Sequence, residues 1–120
     1  MVQMSDTSSL VPTMVRAPRG ATTLEIDWAD GHTSCYTNEL LRGYCPCAGC
    51  QGHSGAIEFR PGSNSVLEDI EEVGNYGLCF TWGDGHKSGI YSYRYLRELC
   101  ICDQCAPSAK AAQHEPLPRA

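Results

Sequence analysis

A chain of 120 residues and 13.1 kDa is sized for one compact domain and is too short for two. Its net charge of −5 and pI near 5.2 argue against broad nucleic-acid binding through phosphate neutralisation, and its longest apolar run is too short for a membrane-spanning helix. Cysteine stands out, at 8 residues.

Residues 1–20 (MVQMSDTSSLVPTMVRAPRG) read as a flexible N-terminal arm. They lack a charged start followed by an apolar stretch, so no secretory signal is expected. The thiols are therefore read as cytoplasmic, with an organelle matrix as the alternative, and there they point to metal or redox chemistry rather than disulfides. Leu24, Ile26 and Trp28 alternate with Glu25 and Asp27, the pattern of a half-buried strand. Asp30-Gly31 reads as a two-residue hairpin turn, which places His32 at the start of a returning strand. Thr37 or Asn38 can cap a short helix through Arg42, and Cys45, Cys47 and Cys50 follow it.

Between Gly52 and Tyr76, strands are expected at Ala56–Phe59 and Val66–Val73. Gly74-Asn75 then turns into a strand over Tyr76–Trp82, followed by Asp84-Gly85 and His86. Ser92 caps a helix over Tyr93–Leu99, and Cys100, Cys102 and Cys105 close the pattern. Residues 106–120 read as a flexible C-terminal tail, leaving 21–105 as the domain.

The two cysteine-rich stretches are versions of each other. LEIDWADGHTSCYTNELLRGYCPCAGC (24–50) and LCFTWGDGHKSGIYSYRYLRELCICDQC (78–105) match at twelve positions once a single extra residue is allowed in the second. Chance does not repeat W-x-D-G-H and C-x-C-x-x-C in the same order at nearly the same spacing. The fold class that follows is α+β: a small β-rich single domain of two pseudo-symmetric hairpin–helix–cysteine-knuckle units.

Three thiols within six residues can converge on one ion if the backbone curls around it, and a strained Cys-x-Cys disulfide is a poor alternative. Zinc takes four ligands in a tetrahedron, so three thiolates call for one more donor. An imidazole is the natural fourth, and each unit carries one at its hairpin turn. Spacing alone leaves an iron–sulfur cluster open as the alternative cofactor.

The motifs L-R-x-x-C-P-C-x-x-C, G-N-Y-x-L and W-x-D-G-H-x-S-G-I-Y resemble those of the γ-butyrobetaine hydroxylase-like N-terminal domain family over roughly residues 12–100. That resemblance implies a module found alone in small bacterial proteins and at the N-terminus of 2-oxoglutarate-dependent hydroxylases. Some members sit beside P-loop ATPases that carry iron–sulfur clusters. It also implies one structural zinc, held by Cys45, Cys47, Cys50 and His86, so that the histidine comes from the other unit.

The family pattern ends near Tyr-Leu-Arg-Glu-Leu, whereas this chain goes on to Cys100, Cys102 and Cys105. If a pseudo-twofold axis relates the units, the operation that sends His86 to the first triad sends His32 to the second. A second site of Cys100, Cys102, Cys105 and His32 is therefore expected, giving one or two zinc ions per chain.

Cys35 and Cys79 read as small buried hydrophobes, and His53 and His114 as solvated histidines. Trp28, Trp82, Tyr76, Tyr91 and Tyr95 are expected in the core, with Tyr93 and Arg94 exposed. Asp30 and Asp84 can serve either the turns or the imidazoles. Arg42 and Arg97 can offset thiolate charge or cap the helices.

A non-haem iron oxygenase needs a two-His-one-carboxylate triad inside a large barrel, and neither that pattern nor the length is present. The expectation is a non-enzymatic zinc-binding accessory or protein-interaction module. An iron–sulfur assembly or carrier protein, or an accessory subunit of a larger complex, is the alternative. The partner expected is a protein, such as an iron–sulfur carrier ATPase or that complex, with no nucleic acid.

Overall fold

The computed structural model describes residues 11–47, 51, 56–62, 64–87, 89–102, 105, 111–113, 115 and 117–118. Cys50, His53 and His114 lie outside them.

Strand β2 (Thr23–Trp28) buries Leu24, Ile26 and Trp28 and leaves Glu25 and Asp27 on its outer face, as the period-two alternation requires. It pairs antiparallel with β3 (Thr33–Thr37), and β3 runs into helix α1 (Asn38–Gly43). Thr37 caps that helix by accepting the N–H of Leu40 at 3.0 Å.

The second unit repeats this plan. Strand β6 (Gly77–Trp82) buries Leu78, Phe80 and Trp82, and pairs with β7 (Ile90–Ser92). Ser92 then caps α2 (Tyr93–Glu98) through the N–H of Tyr95. Among the described residues no helix is long and apolar enough to cross a membrane.

The hairpin turns differ from the two-residue expectation. In each, the loop has three residues: Trp28 N–H donates to His32 O and Gly31 N–H to Trp28 O, and Trp82, Gly85 and His86 make the same pair of bonds. This is the loop in which a glycine supplies the left-handed residue, and Gly31 and Gly85 have φ of 91° and 86°. Asp30 and Asp84 use Oδ1 to accept the backbone N–H of His32 and His86.

Each unit also has a third strand. β1 (Pro12–Arg16) pairs with β2, and β5 (Leu67–Val73) pairs with β6, giving sheets in the order β1-β2-β3 and β5-β6-β7. The register irregularity falls at the same place in both, between Pro12 and Met14 opposite Trp28–Asp27, and between Leu67 and Asp69 opposite Trp82–Thr81. Residues 12–16 are therefore ladder rather than flexible arm. Arg16, bonded to Glu25 and Asp27 across the strand pair, holds them.

The tail is corrected in the same way. β8 (Leu117–Pro118) pairs with β4 (Ala56–Ile57), Leu117 enters the core, and Tyr44 donates its hydroxyl to Glu115 O at 2.7 Å.

The units face each other across one core. Leu40, Leu41 and Tyr44 from the first meet Tyr91, Tyr95, Leu96 and Leu99 from the second, and burial of each such side chain stabilises by about 1.5–3 kcal/mol. The polar contacts are exchanged in equivalent pairs. Tyr36 donates its hydroxyl to Leu96 O and Tyr91 donates to Leu41 O, both at 2.5 Å.

Two aromatic placements differ from expectation. Tyr93 is buried because its ring packs edge-on against Trp28 of the other unit, at 6.1 Å between centroids. Tyr76 stands in the turn before β6 and is 57% exposed. Cys35 and Cys79 are half-buried rather than core residues, since they lie on the outer faces of β3 and β7's partner strand.

Candidate metal centres

Each histidine leaves its own unit at the hairpin turn and meets the cysteines that follow the other unit's helix. His86 Nε2 lies 3.4 Å from Cys45 Sγ and 3.5 Å from Cys47 Sγ. His32 Nε2 lies 3.6 Å from Cys100 Sγ, 3.6 Å from Cys102 Sγ and 3.5 Å from Cys105 Sγ. Within each group the donor atoms all lie within 4.8 Å of one another, and each group could hold a metal ion. No disulfide joins the described cysteines.

These distances test the donor sets against a metal. An ion about 2.3 Å from sulfur and about 2.0–2.1 Å from nitrogen, at the centre of a tetrahedron, sets each S···N edge near ~3.6 Å. All five edges fall between 3.4 and 3.6 Å. Thiols and imidazole are also the donors that a borderline-soft cation selects. The residues fit the group.

Sequence reasoning placed His86 with the first triad and His32 with the second, and the structure brings together Cys45, Cys47 and His86, and Cys100, Cys102, Cys105 and His32. Cys50 lies outside the described residues.

The surroundings act oppositely on the two kinds of donor: they favour the ligating form of the imidazole and, without a cation, the protonated form of the thiol. Burial, then the positive charge of Arg42, pushes the His86 pKa down, which keeps its imidazole neutral. Burial and hydrogen bonds with Cys102 and Cys100 push the Cys105 thiol up to about 12. Three thiolates crowded together repel, and a cation among them relieves that repulsion. Cys102 N–H points at Cys100 Sγ from 3.5 Å.

The outer oxygens of the turn carboxylates reach the other unit: Asp30 Oδ2 pairs with Arg97 Nη1 at 3.0 Å, and Asp84 Oδ2 faces Arg42 Nη2 at 4.0 Å. Arg97 also covers the Trp28 ring, its Cζ 5.4 Å from the centroid.

Two supporting residues escaped sequence reasoning. Gly89 backs Cys45 so closely that a Cβ there would stand 2.5 Å from the sulfur. Gln51, 2% exposed, donates to Cys45 O and Glu58 O and accepts from Glu58 N–H, tying the first knuckle to the β4 segment. The extra residue in the second unit was the signal for Gly89, and nothing local signalled Gln51.

The family model for "Gamma-butyrobetaine hydroxylase-like, N-terminal" matches residues 15–97. The chain is 28% identical over 116 residues to a gamma-butyrobetaine dioxygenase of Pseudomonas sp. (strain AK-1), covering 89% of this chain and 29% of that enzyme. It thus spans less than a third of the length of that relative.

Among solved structures, it resembles a protein of unknown function of the DUF971 family from Acidithiobacillus ferrooxidans ATCC 23270, with TM-score 0.57 and 35% identity over 78% of this chain and 94% of that one. It also resembles a protein solved by NMR in solution, with TM-score 0.60 and 29% identity over 100% of this chain and 95% of that one. With the family model matched over residues 15–97, more than half of its length, the chain belongs to the gamma-butyrobetaine hydroxylase-like N-terminal family.

Proposed function

We propose that this protein is a non-enzymatic accessory or protein-interaction module, held in shape by a zinc ion at Cys45, Cys47, Cys50 and His86. The observation that carries this reading is the exchange of histidines: His86 reaches thiols 39 and 41 residues earlier in the chain. An ion there ties the two units together and adds its binding free energy to that of folding. A single ion is favoured over an iron–sulfur cluster because the donors crowd within 4.8 Å. A cluster interposes sulfide-bridged irons between its thiolates and needs a wider spread.

The similarity to a segment of a longer dioxygenase supports a module that works beside a larger protein.

Elemental analysis with an acid-labile sulfide assay on the purified chain tests the metal, and zinc without sulfide is expected. Apparent zinc-binding free energies of about 10–16 kcal/mol rival the whole ~5–15 kcal/mol stability of a small domain. Chelator treatment should therefore abolish the cooperative thermal transition. Iron with sulfide, or unchanged melting after chelation, overturns the reading.

A further inference from the structure

We infer that Cys100, Cys102, Cys105 and His32 form a second, independent site for a divalent thiophilic cation of the zinc class. The family model ends at residue 97, before the first of these cysteines. All four donors lie among the described residues, and three S···N edges of 3.5–3.6 Å meet the tetrahedral value of about 3.6 Å. Crowding within 4.8 Å leaves space for one ion between them.

Local backbone geometry builds the curl that gathers the thiols. Cys105 N–H donates to Cys102 O at 3.0 Å, Cys102 N–H points at Cys100 Sγ, and Ile101 N–H donates to Cys35 O at 3.1 Å, docking the knuckle on β3 of the first unit. His32 is presented by a turn fixed through Asp30 and Gly31, so the imidazole arrives from a preorganised hairpin rather than a long loop.

Counting zinc per chain tests this, first in the wild type and then in His32→Ala and His86→Ala. Two equivalents are expected in the wild type, one in each variant and none in the double variant. One equivalent in the wild type, lost in His86→Ala and kept in His32→Ala, overturns the second site while leaving the proposed function intact. Loss of the same single ion in both variants overturns it as well, and no zinc in the wild type overturns both readings. If a variant fails to fold, cobalt titration of the chelated wild type decides. Two equivalents of tetrahedral thiolate-bound cobalt support the site, and one refutes it.

Discussion

The two halves of this molecule share a plan and differ at one residue of length, and the difference lies at the walls of the cages. In the first unit β2 and β3 pair over five positions, Thr23–Thr37 through Asp27–Thr33. In the second, β6 and β7 pair over three, ending at Cys79–Ile90. Counting back from the matched tyrosines, Ser34 and Gly89 occupy the same place. Ser34 is fully buried and accepts a 2.8 Å bond from Trp28 Nε1, whereas Gly89 has left the ladder to make room for Cys45 Sγ. The second knuckle makes an N–H bond from Ile101 to Cys35 O that Pro46, aligned with Ile101, cannot make. Two copies of one architecture thus seat their thiols by different local means: an added glycine in one case, a backbone bond in the other.

The sharpest break of that comparison is Gly89→Ala against Ser34→Ala. A Cβ at position 89 collides with Cys45 Sγ, so the first site should lose its zinc while the second keeps it, on top of an overpacking cost of about 1–3 kcal/mol. Ser34→Ala strands the Trp28 indole N–H and should cost about 1–3 kcal/mol with the metal count unchanged. Zinc analysis beside urea unfolding reads both. Equal metal loss in the two variants would mean that the walls do not differ in role.

A finer probe is the pair Tyr36→Phe and Tyr91→Phe. Each removes one inter-unit hydroxyl bond of 2.5 Å, and each should cost about 0.5–1.5 kcal/mol in denaturant unfolding. Losses differing by more than about 1 kcal/mol would show the two bonds to be unequal despite their shared geometry.

The smallest effect separates the carboxylates. Asp30 sits 3.0 Å from Arg97 and Asp84 4.0 Å from Arg42, so Asp30→Asn should cost more than Asp84→Asn, both within the ~0.2–1 kcal/mol of exposed pairs. The His32 backbone N–H, and then Arg97, hold the Asp30 carboxyl below the usual carboxylate range. Its contribution is therefore present above the unfolded value near ~4 and fades as pH falls through the folded one. Acid titration of stability should be flatter in Asp30→Asn than in wild type.

Sequence carried the parts of this fold that are local. Thr37 and Ser92 cap the helices as their positions require, and Leu24, Ile26 and Trp28 face inward on a strict alternation. The meeting of His86 with Cys45 and Cys47, and of His32 with Cys100, Cys102 and Cys105, was legible because the units match and one triad resembled a known pattern. What escaped depends on partners remote in the chain. PTMVR opens on a proline and lacks a clean apolar–polar alternation, and it is held at an edge by Arg16 bridging Glu25 and Asp27. The two-residue β8 contains a proline and exists because β4 and the core receive it. Tyr93 looked like surface because nothing near it in sequence reveals Trp28 lying against its ring.

Crossing the histidines has a consequence for the order in which a nascent chain matures. The thiol of Cys45 leaves the ribosome 41 residues ahead of its imidazole, and His32 waits 73 residues for Cys105. Neither half alone carries a complete donor set, so under the proposed function loading is a late step, and the thiols of the first triad pass through synthesis unguarded against oxidation.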